Sequence, residues 1–329
     1  MEIPVIDISP FLNGDARDRS EVAKSWDDAF RTIGFATIIG HHIPLALMES
    51  LQAEARSFFE MPAEEKMRYV YPGEQRAQGY VPMGVETVAL TIGRDRKPPP
   101  PDLCESITFP YIYWERGRIT NEFDRSVYKP NRWPERPVGL RALIQEYSNH
   151  AHQLGLSLMR LSALALDLPE HYFDPFFDRM TTHLRLAYYP AQIEAPLPHQ
   201  SRYGAHTDYS GYTMLLQDDA GGLQAMMPDG GWADVRPVRG GLVINSGDLI
   251  ARWTNDRWKS DFHRVINPPP EEWRRTSRLS VVLFTGPNYD AVISCLPGCA
   301  SASAPPRYQP TTCWNHVMEK IRASMPDPL

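Results

Sequence analysis

The second half of the chain consists of short extended segments separated by turns, and this pattern restricts the fold more than any other feature. From Thr181 onward, apolar residues occur in short runs rather than at helical spacing, with turn signals at Pro228–Gly231 and Gly240–Gly241. Evenly spaced short strands with Gly and Pro between them are typical of a double-sheet jelly roll or cupin barrel. The candidate strands are Leu184–Tyr188, Met214–Leu216, Leu223–Ala225, Trp232–Val235, Leu242–Asn245 and Leu279–Phe284.

Helical patterns dominate the first half of the chain. Apolar residues recur at steps of three and four along Val22–Ile33, and a second helix is expected between Pro44 and Pro62. The longest helical pattern, Val138–Leu168, stops at Pro169 and is best explained as a support that packs against a sheet. The sequence therefore predicts an α+β protein: a double-stranded β-helix (jelly-roll, cupin-like) core with flanking N-terminal and supporting helices.

Residues from Tyr69 to Pro137 are rich in Pro, Gly and charge and predict a long irregular segment. Within it, Arg94–Pro101 is either a functional lid or a disordered surface insertion. We expect residues 1–329 to form a single domain. Its expected parts are an N-terminal cap and lid region (1–137), a supporting helix (138–170), a jelly-roll core (181–290) and a C-terminal tail (291–329).

A metal site is indicated by His206, Asp208 and His263. His206 and Asp208 lie two apart in the extended-looking run Gly204–Tyr209, so a strand would point both side chains to one face. His263 stands alone on a second strand-like segment. Two His and one carboxylate with open coordination positions form the facial triad of non-haem Fe(II) oxygenases. Ligand type alone favours iron over zinc only weakly, and the simplest alternative is that the three are ordinary core residues.

Arg278 and Ser280 also lie two apart on a candidate strand and would share one face. A guanidinium binds a carboxylate through two parallel hydrogen bonds, and a hydroxyl can add one more. The pair therefore indicates a carboxylate-binding site, with a structural ion pair of Arg278 as the alternative.

Further motifs follow in a consistent order. They are Gly204–Asp208, Met214–Asp219, Gly221–Gln224, Val243–Asp248, Trp253–Asn255, His263–Val265 and Arg278–Ser280. Together they resemble the isopenicillin N synthase-like iron and 2-oxoglutarate-dependent dioxygenases. The resemblance extends to the N-terminal cap region of that family, through Gly34–Phe35, His41–Pro44 and Phe58–Lys66. It therefore spans nearly the whole chain.

The resemblance implies an oxidoreductase of the non-haem iron dioxygenase class that uses Fe(II), 2-oxoglutarate and O2. The facial triad would hold the iron, Arg278 and Ser280 would hold the distal carboxylate of 2-oxoglutarate, and Tyr189 would also reach that cosubstrate. The substrate would be a small molecule, of natural-product or amino-acid-like type as in secondary metabolism. Its C–H bond would be oxidised by hydroxylation, desaturation or cyclisation, with succinate and CO2 as co-products.

Alternation along the last strand extends the expected site. If Arg278 and Ser280 face the interior, Val282 and Phe284 face it too, and Leu279, Val281 and Leu283 face the helices. Phe284 is therefore a candidate substrate wall, with core packing as the equal alternative.

Arg185 should share an inward face with Tyr189 and is the best candidate for a polar substrate contact. In that role it would favour an acidic or phenolic group. The alternative is that Arg185 pairs with an internal carboxylate such as Glu105. Tyr80, within a segment that resembles the family, is a further candidate substrate contact.

Two other functions stay open at this point. The first is an oxidase like isopenicillin N synthase, which draws all its electrons from substrate and needs no keto acid. There, Arg278 and Ser280 would bind the carboxylate of the substrate itself. The second is a non-catalytic cupin-like binding or storage protein, which predicts that metal ligands are missing.

The net charge of −6 and the pI of about 5.9 argue against a nucleic-acid or anionic-membrane partner, because phosphate binding needs a basic face. No apolar run approaches the length of a membrane span, and no signal peptide is recognisable after Met1. We expect a cytoplasmic protein that acts as a monomer on a small-molecule substrate.

Overall fold

The structure is a computed structural model that describes residues 2–71, 78–92, 99–110, 122–127 and 130–324. Each of the six candidate strands is present, with bounds that differ from the predicted ones by a few residues. The strands are β1 (Val5–Asp7), β2 (Phe35–Ile39), β3 (Gly79–Val81), β4 (Glu105–Pro110), β5 (Thr181–Tyr189), β6 (Tyr203–His206), β7 (Tyr212–Gln217), β8 (Leu223–Met226), β9 (Trp232–Asp234), β10 (Leu242–Ser246), β11 (His263–Val265), β12 (Arg278–Gly286), β13 (Val292–Ile293) and β14 (Thr311–Thr312).

Two sheets form the jelly-roll core. The larger sheet has eight strands in the order β1-β2-β10-β7-β12-β5-β4-β3, and the smaller has four in the order β6-β11-β8-β9. β1 and β2 pair in parallel, and the other described neighbours in the two sheets are antiparallel. β13 and β14 form a separate pair. The order follows crossovers rather than sequence, which is the double-stranded β-helix expected from the strand pattern.

Helices cover one face of the larger sheet, and the longest one begins and ends close to its predicted bounds. α2 is capped by Asp15, whose carboxylate accepts hydrogen bonds from the backbone N–H groups of Arg17 (2.8 Å) and Asp18 (3.0 Å). α3 starts directly after Pro44. The helices are α1 (Ser9–Asn13), α2 (Ala16–Thr32), α3 (Leu45–Phe59), α4 (Ala63–Met67), α5 (Glu122–Val127), α6 (Leu140–Ala165), α7 (Asp174–Phe177), α8 (Asp248–Trp253) and α9 (Cys313–Ser324).

The hydrophobic core lies between these helices and the larger sheet. Alternate residues of β12 belong to this core. Leu51 of α3 and Leu158 of α6 pack there too, and both are at most 1% exposed. Burying such side chains removes their apolar surface from water, which is the main force that holds a sheet and a helix layer together. The core residues from β12 are Leu279, Val281 and Leu283, as the alternation predicts.

Two segments contain more regular structure than the sequence pattern indicates. β3 and β4 lie within the stretch predicted to be irregular, where they extend the larger sheet through the pairing of β4 with β5. The predicted C-terminal tail contains β13, β14 and α9. Of the candidate lid Arg94–Pro101, residues 94–98 lie outside the described residues. Within the described ranges, no helix combines the length and the apolar character that crossing a membrane requires.

Candidate active site

A cavity of about 410 Å³ lies between the two sheets, and its wall combines residues of both. The larger sheet contributes inward-facing residues of β5 and β12, and the smaller sheet contributes residues of β6, β8 and β11. The cavity also reaches residues of α9 and of the 3-10 helix Val88–Ile92. The jelly roll therefore encloses a chamber large enough for small molecules.

The three candidate metal ligands meet in this cavity. Their ligand atoms all lie within 4.8 Å of one another, and all three residues are buried. Nε2 of His206 and Nε2 of His263 are each 3.8 Å from Oδ1 of Asp208. The arrangement follows from the smaller sheet, where His263 of β11 is the direct partner of His206 at the end of β6. Asp208 comes two residues after the end of β6.

Neighbouring groups orient two of the three side chains. Nδ1 of His206 lies 3.0 Å from the carbonyl oxygen of Gly204, which leaves Nε2 to face Asp208. Oδ2 of Asp208 accepts hydrogen bonds from Asn245 (2.6 Å) and Thr213 (2.5 Å), so Oδ1 faces the two imidazoles. Such supporting contacts fix the tautomer and orientation of metal ligands.

The electrostatics of the cluster suit a divalent cation. Burial, reinforced by the nearby His263, lowers the pKa of His206 to about 3, so its imidazole is neutral. Burial opposes the charge of Asp208, but the neighbouring His263 and the hydrogen bonds from Thr213 and Asn245 hold the pKa of its carboxylate below the usual value. Two imidazole nitrogens and one carboxylate, with the remaining directions open to the cavity, fit Fe(II).

Arg278 lies in the same cavity and is fully buried. It donates to the carbonyl oxygen of Gly221 (2.6 Å) and to Oε1 of Gln217 (3.1 Å), while its Nε has no hydrogen-bond partner among the described residues. Oδ1 of Asp218 lies 4.0 Å from Nη1 of this guanidinium. A buried guanidinium with an unused donor is suited to an anionic ligand that enters the cavity.

Ser280 and Tyr189 line the cavity beside Arg278. Arg278 is the direct partner of Tyr189 across the β12–β5 pair, and Ser280 is the partner of Ala187. The three residues predicted to bind the cosubstrate therefore form one continuous patch, and the small side chain of Ala187 leaves room next to them.

The predicted alternation of β5 and β12 is confirmed. Val282 and Phe284 line the cavity, and so does Arg185. Arg185 does not pair with Glu105, the carboxylate named as its alternative partner. Glu105 is the strand partner of Tyr188, whose side chain packs against the helix-side core, so a pairing with Arg185 would have to cross the sheet.

Tyr80 is the one predicted substrate residue that the structure places outside the cavity. It is 4% exposed and belongs to the hydrophobic core on the helix side. Its hydroxyl donates to Oε2 of Glu105 (2.5 Å), which also accepts from Lys66 (2.7 Å). The prediction of a substrate contact is therefore wrong for Tyr80, because the register of β3 and β4 turns its side chain away from the cavity.

Several cavity residues were missed by the sequence reasoning. Glu86 forms a forked ion pair with Arg185, and Tyr203 donates to the same carboxylate (3.0 Å). Val317 and Ile321 of α9 also line the cavity. Their spacing of four residues was a helical signal available in the sequence. Glu86 gave no such signal, because it lies in a segment without periodicity.

Comparison with known proteins gives matches along most of the chain. Residues 3–136 match the family model for the N-terminal region of non-haem dioxygenases in morphine synthesis, and residues 180–287 match the 2OG-Fe(II) oxygenase superfamily. The chain is 33% identical to the 2-oxoglutarate-Fe(II) type oxidoreductase hxnY of Emericella nidulans, over 98% of this chain and 90% of that protein. It is 29% identical to a homoarginine-6-hydroxylase of Oryza sativa subsp. japonica, over 97% and 96% of the two chains.

The structure is also similar to solved structures. A full-length Neurospora crassa protein in complex with alpha-KG has 31% sequence identity and a TM-score of 0.85, with 98% of this chain and 96% of that chain covered. The complex of the same protein with alpha-KG and thymine gives the same identity and TM-score, with 98% and 97% covered.

Proposed function

Because the chain belongs to the 2-oxoglutarate- and Fe(II)-dependent oxygenase superfamily, we propose that His206, Asp208 and His263 hold its iron and that Arg278, Ser280 and Tyr189 hold its 2-oxoglutarate. The protein is a non-haem iron dioxygenase that uses Fe(II), 2-oxoglutarate and O2. The observation that carries the residue assignment is the shared cavity, in which the buried triad and the buried guanidinium open onto one space.

The bound metal supplies the chemistry by which O2 and 2-oxoglutarate give CO2, succinate and an oxidised C–H bond of the substrate. The residues of the chain supply binding and orientation. Arg278 offers its unused Nε–H to the distal carboxylate of the cosubstrate, and the Ser280 hydroxyl adds a second donor. Asn245 and Thr213 keep Asp208 directed at the two imidazoles.

Two aromatic rings pack against the imidazoles of the candidate metal ligands. Tyr203 lies edge-on to His206 with ring centroids 5.0 Å apart, and Phe35 lies edge-on to His263 at 5.5 Å. These contacts reduce the freedom of the two rings and limit the access of water to them. Val317 and Ile321 add apolar surface to the cavity wall, which limits the access of solvent to the reacting C–H bond.

The substrate in this proposal is a small molecule that occupies the part of the cavity between Arg185, Phe284 and α9. Relatives act on or bind such compounds: a homoarginine-6-hydroxylase, a validamycin A dioxygenase and the Neurospora crassa protein in its complex with thymine. The net charge of −6 supports a protein without a nucleic-acid partner. One sheet contains strands from Val5 to Gly286, which supports a single catalytic domain, and in this proposal that domain acts as a monomer.

The keto-acid-independent oxidase is not favoured. Relatives that match along nearly the whole chain are named for 2-oxoglutarate, and the two Neurospora crassa complexes contain alpha-KG. A non-catalytic cupin-like protein predicts that ligands are missing, whereas all three candidate ligands converge here.

The experiment is an assay of succinate formation that depends on O2 and 2-oxoglutarate, run with thymine, homoarginine and validamycin A. We expect at least one compound to stimulate succinate release, and His263→Ala to abolish it. His150→Ala changes an exposed imidazole on α6 and should retain the release. Stimulated release that survives in His263→Ala would overturn the ligand assignment.

A further inference from the structure

The wall of the cavity contains an ion pair that the iron and cosubstrate assignments do not use. Nη1 of Arg185 donates to Oε1 of Glu86 (3.0 Å), and Nη2 donates to Oε2 of the same carboxylate. The side chains are 15% and 29% exposed, so the pair lies on the cavity wall and is largely removed from solvent. The fork uses both carboxylate oxygens and both terminal nitrogens of the guanidinium, which is the strongest geometry for these two groups.

Tyr203 ties this pair to the metal centre. Its hydroxyl donates to Oε1 of Glu86 (3.0 Å), and the Arg185 guanidinium lies over its ring at 5.3 Å. The same ring packs edge-on against His206 at 5.0 Å. The Arg185–Glu86 pair is thus next to the candidate iron ligands, where a bound substrate has to lie.

The backbone that carries Glu86 is fixed by Asp102. The carboxylate of Asp102 accepts from the backbone N–H of Val88 (2.7 Å) and of Gly204 (2.9 Å), and its own N–H donates to the carbonyl of Glu86 (2.8 Å). A Cβ at Gly204 would lie 3.0 Å from Cβ of Ala89, so the glycine permits this close approach. Glu86 is therefore held against β6 rather than carried on a loose loop.

The other ionisable side chains of the cavity wall either belong to the metal and cosubstrate sites or are neutral. Among the described residues that line the cavity, Asp208 belongs to the metal cluster and Arg278 to the cosubstrate patch. His183 also lines it, but burial lowers its pKa to about 4 and leaves it neutral. The remaining charges are those of Glu86 and Arg185, which cancel each other.

We propose that Glu86 determines substrate specificity by neutralising Arg185, so that the enzyme accepts uncharged polar substrates and rejects those that place a carboxylate beside Arg185. The proposal rests on the proposed function, because it concerns the substrate of that same cavity. It reverses the expectation that Arg185 favours an acidic group. An anion next to Arg185 would also stand next to Glu86, and this like-charge contact removes the gain from the guanidinium.

Glu86→Gln provides the test, because the amide keeps the size of the side chain and retains an acceptor while removing the charge. The probes are phenylacetamide and phenylacetate, which have the same ring and nearly the same shape and differ in charge. Each is titrated anaerobically into protein loaded with Fe(II) and 2-oxoglutarate. The shift of the visible charge-transfer band gives an apparent Kd, and the band itself reports that metal and cosubstrate are bound.

The wild-type protein should bind the amide more tightly than the carboxylate by about tenfold or more, as expected for one uncompensated charge at a partly buried site. In Glu86→Gln the affinity for phenylacetate should rise by about tenfold, since Arg185 is no longer neutralised. Adding Arg185→Gln to that variant should cancel the gain. Glu49→Gln removes the same charge from an exposed pair with Arg239 and should leave both constants unchanged.

An affinity for phenylacetate that does not rise in Glu86→Gln would overturn the proposal, and so would a gain that persists without Arg185. Equal binding of the two probes by the wild-type protein would also overturn it. These failures differ from failure of the proposed function, in which the charge-transfer band itself does not form.

Discussion

His206 and His263 face each other directly across the β6–β11 pair, and Nε2 of each lies 3.8 Å from the same oxygen of Asp208. Strand pairing, rather than a flexible loop, therefore sets the distance between the two imidazoles. A site built on paired strands can hold an open-sided metal centre while substrate enters and leaves.

The hydrogen bonds to Oδ2 of Asp208 should contribute to the affinity for Fe(II), because they direct Oδ1 toward the two imidazoles. Asn245→Ala removes a 2.6 Å hydrogen bond from Oδ2, so the carboxylate can rotate away from the imidazoles. We expect the affinity for Fe(II) to fall by about 10- to 100-fold, the range typical of lost supporting contacts to metal ligands. Fe(II) titration under anaerobic conditions measures it. Thr213→Ser keeps the other donor and should bind iron normally, whereas unchanged affinity in Asn245→Ala would contradict the account.

Arg278 should control the cosubstrate rather than the substrate. Arg278→Ala removes a buried charge that has a donor available to the distal carboxylate, and the KM for 2-oxoglutarate should rise by about 100-fold, equivalent to about 3 kcal/mol. The KM for substrate should change little. Arg264→Ala removes a guanidinium that stacks on Trp232 outside the cavity, and it serves as the control. A larger effect on the substrate KM than on the cosubstrate KM would favour the keto-acid-independent oxidase.

The helix α9 should contribute to substrate binding. Val317→Asp places a carboxylate in the apolar wall, and we expect the substrate KM to rise by about tenfold or more because a charge there lacks a partner. Binding of 2-oxoglutarate should be unaffected. Asn315→Asp adds the same group at an exposed position of α9 and should have no effect. Equal effects of the two variants would mean that α9 does not line the substrate site.

Asp102 should make stability depend on pH. Burial raises its pKa from 3.8 to about 7, so the folded protein binds a proton that the unfolded chain releases between these values. The resulting stabilisation is fully present below about pH 4 and is lost as the pH rises through about 7, with an upper limit of about 4 kcal/mol. Urea unfolding at pH 5 and pH 8 measures it. Asp102→Asn should show a smaller loss of unfolding free energy over this interval, and an identical loss would contradict the shifted pKa.

Local periodicity was sufficient to predict much of this site. The two-residue alternation of Arg278, Ser280, Val282 and Phe284 survives folding because β12 is flanked on both sides by paired strands. A shift of the β12 register by one residue would turn the cavity-lining side chains toward the core and the core side chains toward the cavity. The same argument explains why Arg185 faces the cavity.

Contacts between residues that are distant in the sequence could not be predicted from local periodicity. Glu86 and Arg185 are 99 residues apart, and their pairing depends on a segment without regular structure. Tyr80 and Glu105 face the helices because of how β3 and β4 join the sheet, which single-strand patterns do not encode. The role of α9 was missed for another reason: the spacing of Val317 and Ile321 indicates a helix, but only the folded chain shows that these residues line the cavity.

The central claim is that one cavity holds iron through His206, Asp208 and His263 and holds 2-oxoglutarate through Arg278. The most direct test is an anaerobic titration of Fe(II)-loaded protein with 2-oxoglutarate, followed by visible absorption. The account predicts a charge-transfer band that saturates with 2-oxoglutarate, is absent in His263→Ala, and requires much higher 2-oxoglutarate in Arg278→Ala. Iron that stays bound without producing the band in the wild-type protein would contradict it.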